Sequence, residues 1–596
     1  FDELLTALEN RLRDHGVETE RATDHFPPLQ DGMAYLFVPH EFLPLTMPEV
    51  HPHPAKLRRS VALCTEQPGS HWFEVTASAA ERAGAVVDIN EQGAAELRRR
   101  GIRARVMRLG WIPEWDRWGG DETRARPVDV TFLGSYTERR GAALATCGSV
   151  LAGRPCYLNV SDARAPHTAG SPAFLSGADK WERLAQSKVL LNVHRSPLAY
   201  LEWQRVVEAI SNGCVVLTEH SLGTAPLEPG EHFVSSSYES LVYVLEALLE
   251  DPGRLARIRR SAYDLLRNEL PLSNSIGVLA EALEEAAAQD VSQLVRGMES
   301  TGARPRRLPA PRSEYERLAS DQSDMAIMRM AAKHFLIGQQ DFARKLAPKG
   351  EQGDTVERQS ELRSPLVSVI LTVYDYEDTV AGAIDSVAAS TLADRELVVI
   401  EDASTDGSLE AIRTALDRHP AMPATLVARG ANQGLPRARN LGLEHARGKY
   451  VFILDADNHV YPHGLERLAG ALDDEPGAAF AYGLLEAFDA AGPCGIMNWR
   501  PWDPREFRYG NYIDAMAMIR RSVLESLGGY TTEPRLYGWE DFALWCAIAE
   551  RGWGAVRVPE FVARYRQTLL SMISLTNIDG RAAWAALLES HSFLTA

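Results

Sequence analysis

Short apolar runs alternate with longer amphipathic stretches in both halves of the chain. In the second half the predicted strands are LVSVILTVY (366–374), ELVVIED (396–402), ATLVAR (424–429) and KYVFILD (449–455). Strands that alternate with helices form βαβ units, in which the strands of a sheet run parallel. The first half has the same pattern, in runs such as MAYLFVP, AVVDI, VDVTFLGS and CVVLTEH. We therefore predict an α/β chain with parallel, doubly wound sheets.

The chain is long enough to form several domains. A chain of 596 residues exceeds what one hydrophobic core can organise, since a domain typically holds roughly 100–200 residues. The stretch TGARPRRLPAPRSEYER, which begins at Thr301, is rich in proline and arginine and is typical of a linker. Apolar residues at helical spacing flank it. We predict a helical linker at residues 291–362, between two large halves.

The overall composition excludes several classes of function. The formal net charge of -18 argues against nucleic acid or an anionic membrane as the main partner. No apolar run approaches the roughly 18 residues of a membrane span, so we predict no transmembrane segment. The six cysteines have neither a CxxC pair nor zinc-ligand spacing, which is typical of reduced thiols in a cytoplasmic protein.

Polar side chains follow the predicted strands of the second half at the points where they end. Asp402 follows the second strand, Asn432 the third, and Asp455 and Asp457 the fourth. The carboxyl ends of parallel strands meet at one edge, where such sheets bind ligands. In an extended chain residues 455 and 457 point to the same side, and their oxygens suit a divalent cation such as Mg or Mn. An Asp-x-Asp after a strand is also a common turn or cap, so the pair alone leaves both interpretations open.

Four segments of the second half resemble a known family in order and spacing. They are VSVILTVYDYEDTV, VVIEDASTDGS, NQGLPRARNLGLEHARGKYVFILDADN and GWEDFALWCAIAERG. Together they resemble the nucleotide-diphospho-sugar transferases of the GT-A fold, glycosyltransferase family 2. The resemblance implies that residues 363–596 form a GT-A domain. Such a domain would move a sugar from a nucleotide diphosphate donor, a UDP-sugar, to a hydroxyl or other nucleophile, with inversion and dependence on a divalent cation.

The resemblance also implies roles for single residues around the donor. Tyr374 and Glu377 would lie at its base and ribose, and Asp402 would accept the imide hydrogen of the base. An aromatic face and a carboxylate acceptor suit recognition of uracil or thymine. Asp457 would bind the metal, and Asp455 would serve the metal and the ribose side.

Three further residues follow from the same resemblance. Asp541, in GWEDFALW, would deprotonate the acceptor hydroxyl, although an Asp at the start of a helix is also a common cap. Arg437 and Arg439, on the helix that opens at GLPRARN, would face the diphosphate or lie on a solvated helix face.

The chain departs from the family pattern at three places. Asp375 stands where the family usually has Asn, and Asn458 stands where a third Asp is frequent. Relatives often place a metal-binding His near RYRQTLLSM, but residues 564–572 contain none. A third metal ligand therefore stays unassigned.

Two segments of the first half also resemble a known family. They are VDVTFLGSYTERRGAAL and SKVLLNVHRSPLAYLEWQRVVEAISNGCVVLTEHSLGTAPLEPGEHFV. Both resemble the nucleotide-binding half of GT-B glycosyltransferases, particularly the CgeB-like group. The resemblance implies a GT-B-like pair of Rossmann subdomains, at residues 1–127 and 128–290. Glu208 would hydrogen-bond the donor ribose, and Arg205 would face the same cleft. Many GT-B enzymes carry another Glu eight positions earlier, where this chain has Tyr200.

The sequence leaves three functions open. In the first, the C-terminal domain transfers a sugar from a nucleotide sugar donor to a glycan, small-molecule or peptide acceptor. In the second, the chain is bifunctional and both halves catalyse successive sugar transfers. In the third, the N-terminal half is a non-catalytic module that binds the acceptor. The donor sugar and the acceptor are not predicted.

Overall fold

The fold is described from a computed structural model, which describes residues 2–23, 25–45, 51–162, 174–292, 353–360, 362, 364–568 and 580–594. Most of the predicted helical linker, residues 291–362, lies outside these described residues. The described residues form two compact units. One contains the residues up to Leu133 together with 174–292, and the other contains 134–162 together with the residues from 353 onward. Residues 134–162, placed by the sequence in the 128–290 subdomain, thus belong to the second unit.

The first half alternates strands and helices as the sequence predicts. Its strands are β1 (Tyr35–Phe37), β2 (Ser60–Cys64), β3 (Ala85–Asp88), β4 (Ala104–Val106), β5 (Val128–Ser135), β6 (Cys156–Ser161), β7 (Ser187–Asn192), β8 (Val215–Glu219) and β9 (Val234–Ser236). Its helices are α1 (Asp2–Asp14), α2 (Pro39–Leu45), α3 (Pro54–Arg58), α4 (His71–Ala80), α5 (Glu91–Arg99), α6 (Glu138–Thr146), α7 (Gly148–Ala152), α8 (Gly177–Ala185), α9 (Trp203–Ser211), α10 (Leu241–Leu249), α11 (Pro252–Glu269) and α12 (Ile276–Ala287). Short 3-10 turns cover Pro113–Trp115, Tyr238–Ser240 and Leu272–Asn274.

The strands of the first unit run parallel, which confirms the predicted α/β class. One sheet has the order β1-β2-β3-β4, with each neighbouring pair parallel. In the other, β5 pairs with β7, β7 with β8 and β8 with β9, again all parallel. Every residue of β2, β3 and β8 is buried, as expected for parallel strands covered by helices on both faces.

The second half has the same alternation, followed by antiparallel strands. Its strands are β10 (Thr355–Arg358), β11 (Val367–Val373), β12 (Arg395–Glu401), β13 (Ala424–Ala428), β14 (Tyr450–Asp455), β15 (His459–Val460), β16 (Ala478–Asp489), β17 (Gly492–Met497), β18 (Met518–Arg520) and β19 (Gly554–Arg566). Its helices are α13 (Val380–Ala388), α14 (Ser408–Arg418), α15 (Leu435–His445), α16 (Gly464–Asp474), α17 (Arg521–Leu527), α18 (Glu540–Glu550) and α19 (Gly580–Ser590). Short 3-10 turns cover Pro504–Tyr509, Pro534–Leu536 and Ser592–Leu594.

One mixed sheet organises the second unit. Its order is β10-β13-β12-β11-β14-β18-β16-β19-β15, and β17 pairs with β16. The four strands predicted from the sequence, β11 to β14, are its parallel part. Strand β12, which follows β11 in the chain, lies on one side of β11, and β14 lies on the other side. The strand order therefore reverses at β11, which is where doubly wound sheets bind ligands.

Three smaller observations complete the fold. Strand β10, which lies within the predicted linker, pairs antiparallel with β13 and extends the sheet. All six cysteines are free thiols, as predicted. No helix in the described part of the chain is long and apolar enough to cross a membrane.

Candidate active site

A cavity of about 560 Å³ opens at the carboxyl edge of the parallel strands of the second unit. Its wall is formed by the residues that follow β11, β12, β13 and β14, by the segment before β18, by the start of α18 and by the end of β19. The sheet order explains this arrangement, because residues that follow parallel strands meet at the same edge. The cavity thus lies at the switch point of the sheet.

Asp402 forms one end of the cavity. Its carboxylate accepts hydrogen bonds from Arg429 Nη1 at 3.0 Å, from the backbone N–H of Gln433 at 3.1 Å and from that of Gly434 at 2.9 Å. Burial raises the pKa of Asp402, and these donors oppose the shift. Beside it lies Asn432, whose Oδ1 is buried and has no hydrogen-bond partner among the described residues. This end of the cavity therefore presents acceptor oxygens.

The segment after β11 lines the cavity with Tyr374, Asp375, Tyr376 and Thr379 but leaves Glu377 outside it. Tyr374 lines the cavity, whereas Glu377 is exposed, accepts a hydrogen bond from Gly407 N–H at 2.7 Å and is not a lining residue. Asp375 has a φ of +60° and accepts a hydrogen bond from Thr405 N–H at 2.7 Å. Asn and Asp both tolerate this left-handed conformation, so the departure from the family's Asn keeps the local backbone.

Asp455 and Asp457 both line the cavity, but not for the reason predicted. Strand β14 ends at Asp455, and the chain then turns, with Asn458 N–H donating to Asp455 C=O at 3.1 Å. The alternation of an extended chain therefore does not apply at residue 457. Burial, and then the negative charge of Asp455, raise the pKa of Asp457 to about 6.

This pair fits a divalent cation as a partial ligand set. Among the described residues, no group of three or more His, Cys, Asp and Glu side chains could hold a metal ion. Two carboxylates suffice for Mg or Mn if the remaining positions are filled by phosphate oxygens and water, which is the usual arrangement for Mg. Burial, and then the charge of Asp455, raise the pKa of Asp457, and a bound cation would oppose both effects because it stabilises the charged carboxylate.

Arg439 compensates part of the acidic charge. Its guanidinium is buried, and it donates to Asp455 Oδ1 at 3.1 Å and to Glu540 Oε1 at 2.9 Å. Although burial disfavours the charge of Arg439, the two carboxylates raise its pKa above the usual range. Arg439 thus lies in the cavity wall rather than on a solvated helix face. Arg437 is exposed and does not line the cavity.

Asp541 also lines the cavity, in the first turn of α18. The N-cap of this helix is Trp539, so Asp541 is not the cap. Its Oδ2 accepts a hydrogen bond from Asn511 Nδ2 at 3.1 Å, and its Oδ1 accepts one from Phe542 N–H at 2.7 Å. Burial, and then Glu540, raise the pKa of Asp541 to about 7. A carboxylate with a pKa near neutrality is well suited to accept a proton.

Sequence reasoning missed one more carboxylate in the cavity wall. Asp514 lies in the segment before β18, and burial and then Asp455 raise its pKa to about 7. Strand β18 runs antiparallel to β14, so the residues that precede β18 lie where β14 ends. The only local signal was an acidic residue directly before the apolar run AMAMI.

The end of β19 also contributes to the cavity. Tyr565 and Arg566 line it. Arg566 N–H donates to Asn458 Oδ1 at 2.7 Å, and Arg566 Nε donates to Asp457 C=O at 3.3 Å. Relatives often place a metal-binding His in the part of the chain that corresponds to residues 564–572. Of these, residues 569–572 lie outside the described residues.

Glu208 and Arg205, predicted to bind a nucleotide in the first half, take part in polar networks of their own unit. The Glu208 carboxylate is buried and accepts from Lys180 Nζ at 2.8 Å, and Lys180 also donates to Glu3 at 2.8 Å. Arg205 donates to Asn192 Oδ1 at 2.7 Å. Both charges thus have partners within the protein.

Two family models match the chain. Residues 368–528 match glycosyl transferase family 2, and residues 150–274 match a family described as glycosyl transferase-like. The first match spans β11 to α17, including the four parallel strands and Asp402, Asp455 and Asp457.

Curated relatives match the chain over limited stretches. EpsE of Bacillus subtilis (strain 168), which is named as a glycosyltransferase, is 29% identical over 206 residues, or 34% of this chain and 73% of EpsE. The O-antigen biosynthesis protein RfbC of Myxococcus xanthus is 29% identical over 170 residues, or 28% of this chain and 13% of RfbC. The uncharacterized glycosyltransferase alr2836 of Nostoc sp. is 38% identical over 132 residues, or 22% of this chain and 35% of that protein.

Solved structures match with low overall similarity. TarS of S. aureus in complex with UDP is 17% identical with a TM-score of 0.28, and the match covers 34% of this chain and 60% of TarS 1-349. The mannosyltransferase PcManGT from Pyrobaculum calidifontis, in complex with GDP-Man and Mn2+, is 26% identical with a TM-score of 0.27. That match covers 41% of this chain and 68% of PcManGT.

Two regions of the chain are therefore similar to glycosyltransferases: residues 368–528 match the family 2 model, residues 150–274 match the glycosyl transferase-like model, and each covers less than half of the chain. The chain spans 73% of EpsE but less than half of the length of RfbC and of alr2836.

Proposed function

We propose that the second unit transfers a sugar from a nucleoside diphosphate donor to a hydroxyl acceptor, with inversion at the anomeric carbon. One observation carries the proposal. A single cavity is lined by Asp402 after β12, by Asp455 and Asp457 at the end of β14, and by Asp541 in the first turn of α18. These four carboxylates come from separate segments of the chain and match the roles that the family resemblance implies.

The base of the donor would lie at the end formed by Tyr374, Asp402 and Asn432. Asp402 is held rigidly by three donors, so its oxygens are fixed as acceptors for an imide N–H. Tyr374 supplies an aromatic face. A pyrimidine with an imide N–H, as in a UDP-sugar, suits this chemistry.

The acceptor would bind on the side of Asp541. Its carboxylate would take the proton of the attacking hydroxyl, and Asn511 would hold it in place through the hydrogen bond of 3.1 Å. Attack from the face opposite the leaving nucleotide inverts the configuration. Arg439 keeps Glu540 ionised and paired, so it fixes the start of α18 on which Asp541 lies.

Asp455 and Asp457 would hold a divalent cation, Mg or Mn. The cation would supply positive charge to the diphosphate as it leaves. Within the protein itself, Arg439 balances only one oxygen of Asp455 at 3.1 Å.

The test uses the full chain and a panel of UDP-, GDP- and TDP-sugars, with release of nucleoside diphosphate as the readout. We expect turnover of a UDP-sugar by the wild type, and its loss in excess chelator or in Asp457→Asn. Asp541→Asn should retain nucleotide binding and lose transfer. Asp474→Asn is a matched control, because Asp474 is exposed at the end of α16. Full activity in chelator, or a product of retained configuration, would contradict the proposal.

A second activity in the first half is favoured by one observation, the glycosyl transferase-like match at residues 150–274. If this half also transfers a sugar, Glu208→Ala should abolish a product that survives in Asp457→Asn. The pairing of Glu208 with Lys180 instead favours the non-catalytic alternative. An unchanged set of products in Glu208→Ala would support that alternative.

A further inference from the structure

The segment between the Pro504–Tyr509 turn and β18 carries two polar residues, one that contacts Asp541 and one that lines the cavity. Asn511 donates to the candidate base Asp541 at 3.1 Å. Three residues later, Asp514 lines the cavity itself. Its own backbone is anchored, since Asp514 N–H donates to Asn498 Oδ1 at 2.8 Å. One rigid segment thus holds the base and adds a second carboxylate next to it.

One oxygen of Asp514 is used by the protein and the other is not. Oδ1 accepts a hydrogen bond from Met516 N–H at 2.9 Å, which fixes the orientation of the carboxylate. Among the described residues, Oδ2 accepts no hydrogen bond. Asp514 is only partly buried and lines the cavity, so a ligand in the cavity can reach this oxygen and become its hydrogen-bond partner.

Two ligands could supply that partner: a metal ion or the acceptor. The aspartates of the cavity, Asp514 included, do not form a group of three that could hold a metal among the described residues. Asp514 also enters from the strand that borders the acceptor side, together with Asn511, rather than from the turn that carries Asp457. The geometry therefore favours the acceptor.

We propose that Asp514 binds the acceptor by accepting a hydrogen bond from a hydroxyl adjacent to the attacking one, and so selects neutral acceptors that carry two neighbouring hydroxyl groups. This inference rests on the proposed function of the same cavity. Asp514 and Asp541 together disfavour an anionic acceptor, because Arg439 is already paired with Asp455 and Glu540, and Arg566, the other basic residue in the described cavity wall, donates through Nε to Asp457 C=O. A sugar ring has the required pair of hydroxyls.

The experiment removes the hydrogen bond in two ways: by deleting the hydroxyl of the acceptor, and by deleting the carboxylate of Asp514. The acceptors are methyl glycosides of glucose, galactose and mannose, and their monodeoxy analogues, with the donor that the wild type hydrolyses fastest. We expect one deoxy analogue to lower kcat/KM about tenfold in the wild type, as loss of a hydrogen bond to a charged group predicts. In Asp514→Ala the parent glycoside should react as slowly as that analogue, and removal of the hydroxyl should have no further effect.

One further measurement separates this role from that of a metal ligand. The affinity for Mn2+ in the absence of donor and acceptor should stay within about twofold of wild type in Asp514→Ala. Asp514→Asn keeps an acceptor oxygen for Met516 N–H and serves as the variant that preserves the fold, and Asp474→Asn is the surface control.

The outcomes are distinguishable. An equal effect of the missing hydroxyl in the wild type and in Asp514→Ala would overturn the inference, as would a weakened affinity for Mn2+ or donor hydrolysis without transfer to any glycoside. If the wild type turns over no nucleotide sugar at all, the proposed function itself fails.

Discussion

Replacing Asp541 with asparagine removes a buried carboxyl group whose ionisation is unfavourable in the native protein. Burial, and then Glu540, raise the pKa of Asp541 from 3.8 to about 7. One pKa unit corresponds to about 1.4 kcal/mol, so a shift of roughly three units destabilises the native state by at most about 4 kcal/mol. An asparagine side chain keeps one acceptor oxygen, which can still accept from Phe542 N–H, and loses the oxygen that accepts from Asn511 Nδ2, so the substitution removes the charge and one hydrogen bond.

The sign of the pH dependence follows from the two pKa values. Below about pH 4 the carboxyl group is protonated in the native and unfolded states, and no penalty exists. As the pH rises, the unfolded chain ionises first, so the penalty grows until the native group also ionises near pH 7. We therefore expect Asp541→Asn to melt at a higher temperature than the wild type, with the larger difference at about pH 7.5 and the smaller at about pH 5.

Thermal denaturation at the two pH values, followed through the transition of the second unit, measures this difference. Carboxyl groups that do not interact with Asp541 are present in both proteins and cancel in the comparison, whereas the repulsion between Asp541 and Glu540 is lost in the variant and is part of the difference. In the same samples, the wild-type transfer rate should fall as the pH drops through about 7, because the base becomes protonated. A melting difference that is equal at both pH values, or an Asn variant that melts lower at the higher pH, would refute the reasoning.

Three other substitutions test the local structure. Arg439→Met leaves the buried Glu540 and the partly exposed Asp455 without their cation and should destabilise the second unit by about 3–5 kcal/mol, measured by thermal denaturation. Gly434→Ala adds a Cβ 2.9 Å from the Tyr537 ring at a φ of +87°, so it should weaken UDP binding in a calorimetric titration. Lys180→Met should lower the melting temperature more than Glu208→Gln, because Lys180 compensates two carboxylates.

The parallel strands could be predicted because their signal is local. Strands β11 and β14 are continuous apolar runs that end in polar residues, and burial on both faces requires such runs. Two other strands could not be predicted in this way. Strand β10, with the sequence TVER, is mostly exposed and exists through its pairing with β13. Strand β2 is a short run, SVALC, directly after a basic helix.

The candidate site could be predicted in part for the same reason. Asp402, Asp455 and Asp457 directly follow parallel strands, so the sheet itself brings them to one edge. Asp514 reaches that edge only because β18 is antiparallel to β14, a pairing between segments about 70 residues apart that no local pattern encodes.

The partners of the charged residues were also beyond the sequence. Arg439 was expected on the diphosphate or on a solvated face, but it contacts Glu540, which is 101 residues away in the chain. Glu208 was expected at a ribose, but its carboxylate contacts Lys180. In both cases the residue type and the element were predictable, whereas the contact depended on the packing of distant segments.

The charge of the cavity leads to a last prediction, the linkage of metal and donor binding. Among the described residues that line the cavity, the basic side chains are Arg439, which is paired with two carboxylates, and Arg566. A nucleoside diphosphate brings further negative charge to the same place as Asp455 and Asp457. A bound divalent cation should therefore raise the affinity for the donor, and bound donor should raise the affinity for the cation. Linkage requires the two effects to be equal.

Calorimetric titration of UDP with and without Mn2+, and of Mn2+ with and without UDP, should give the same factor. Asp457→Asn should reduce that factor toward one, and UDP binding that is equally tight in excess chelator would contradict the placement of the diphosphate beside this aspartate.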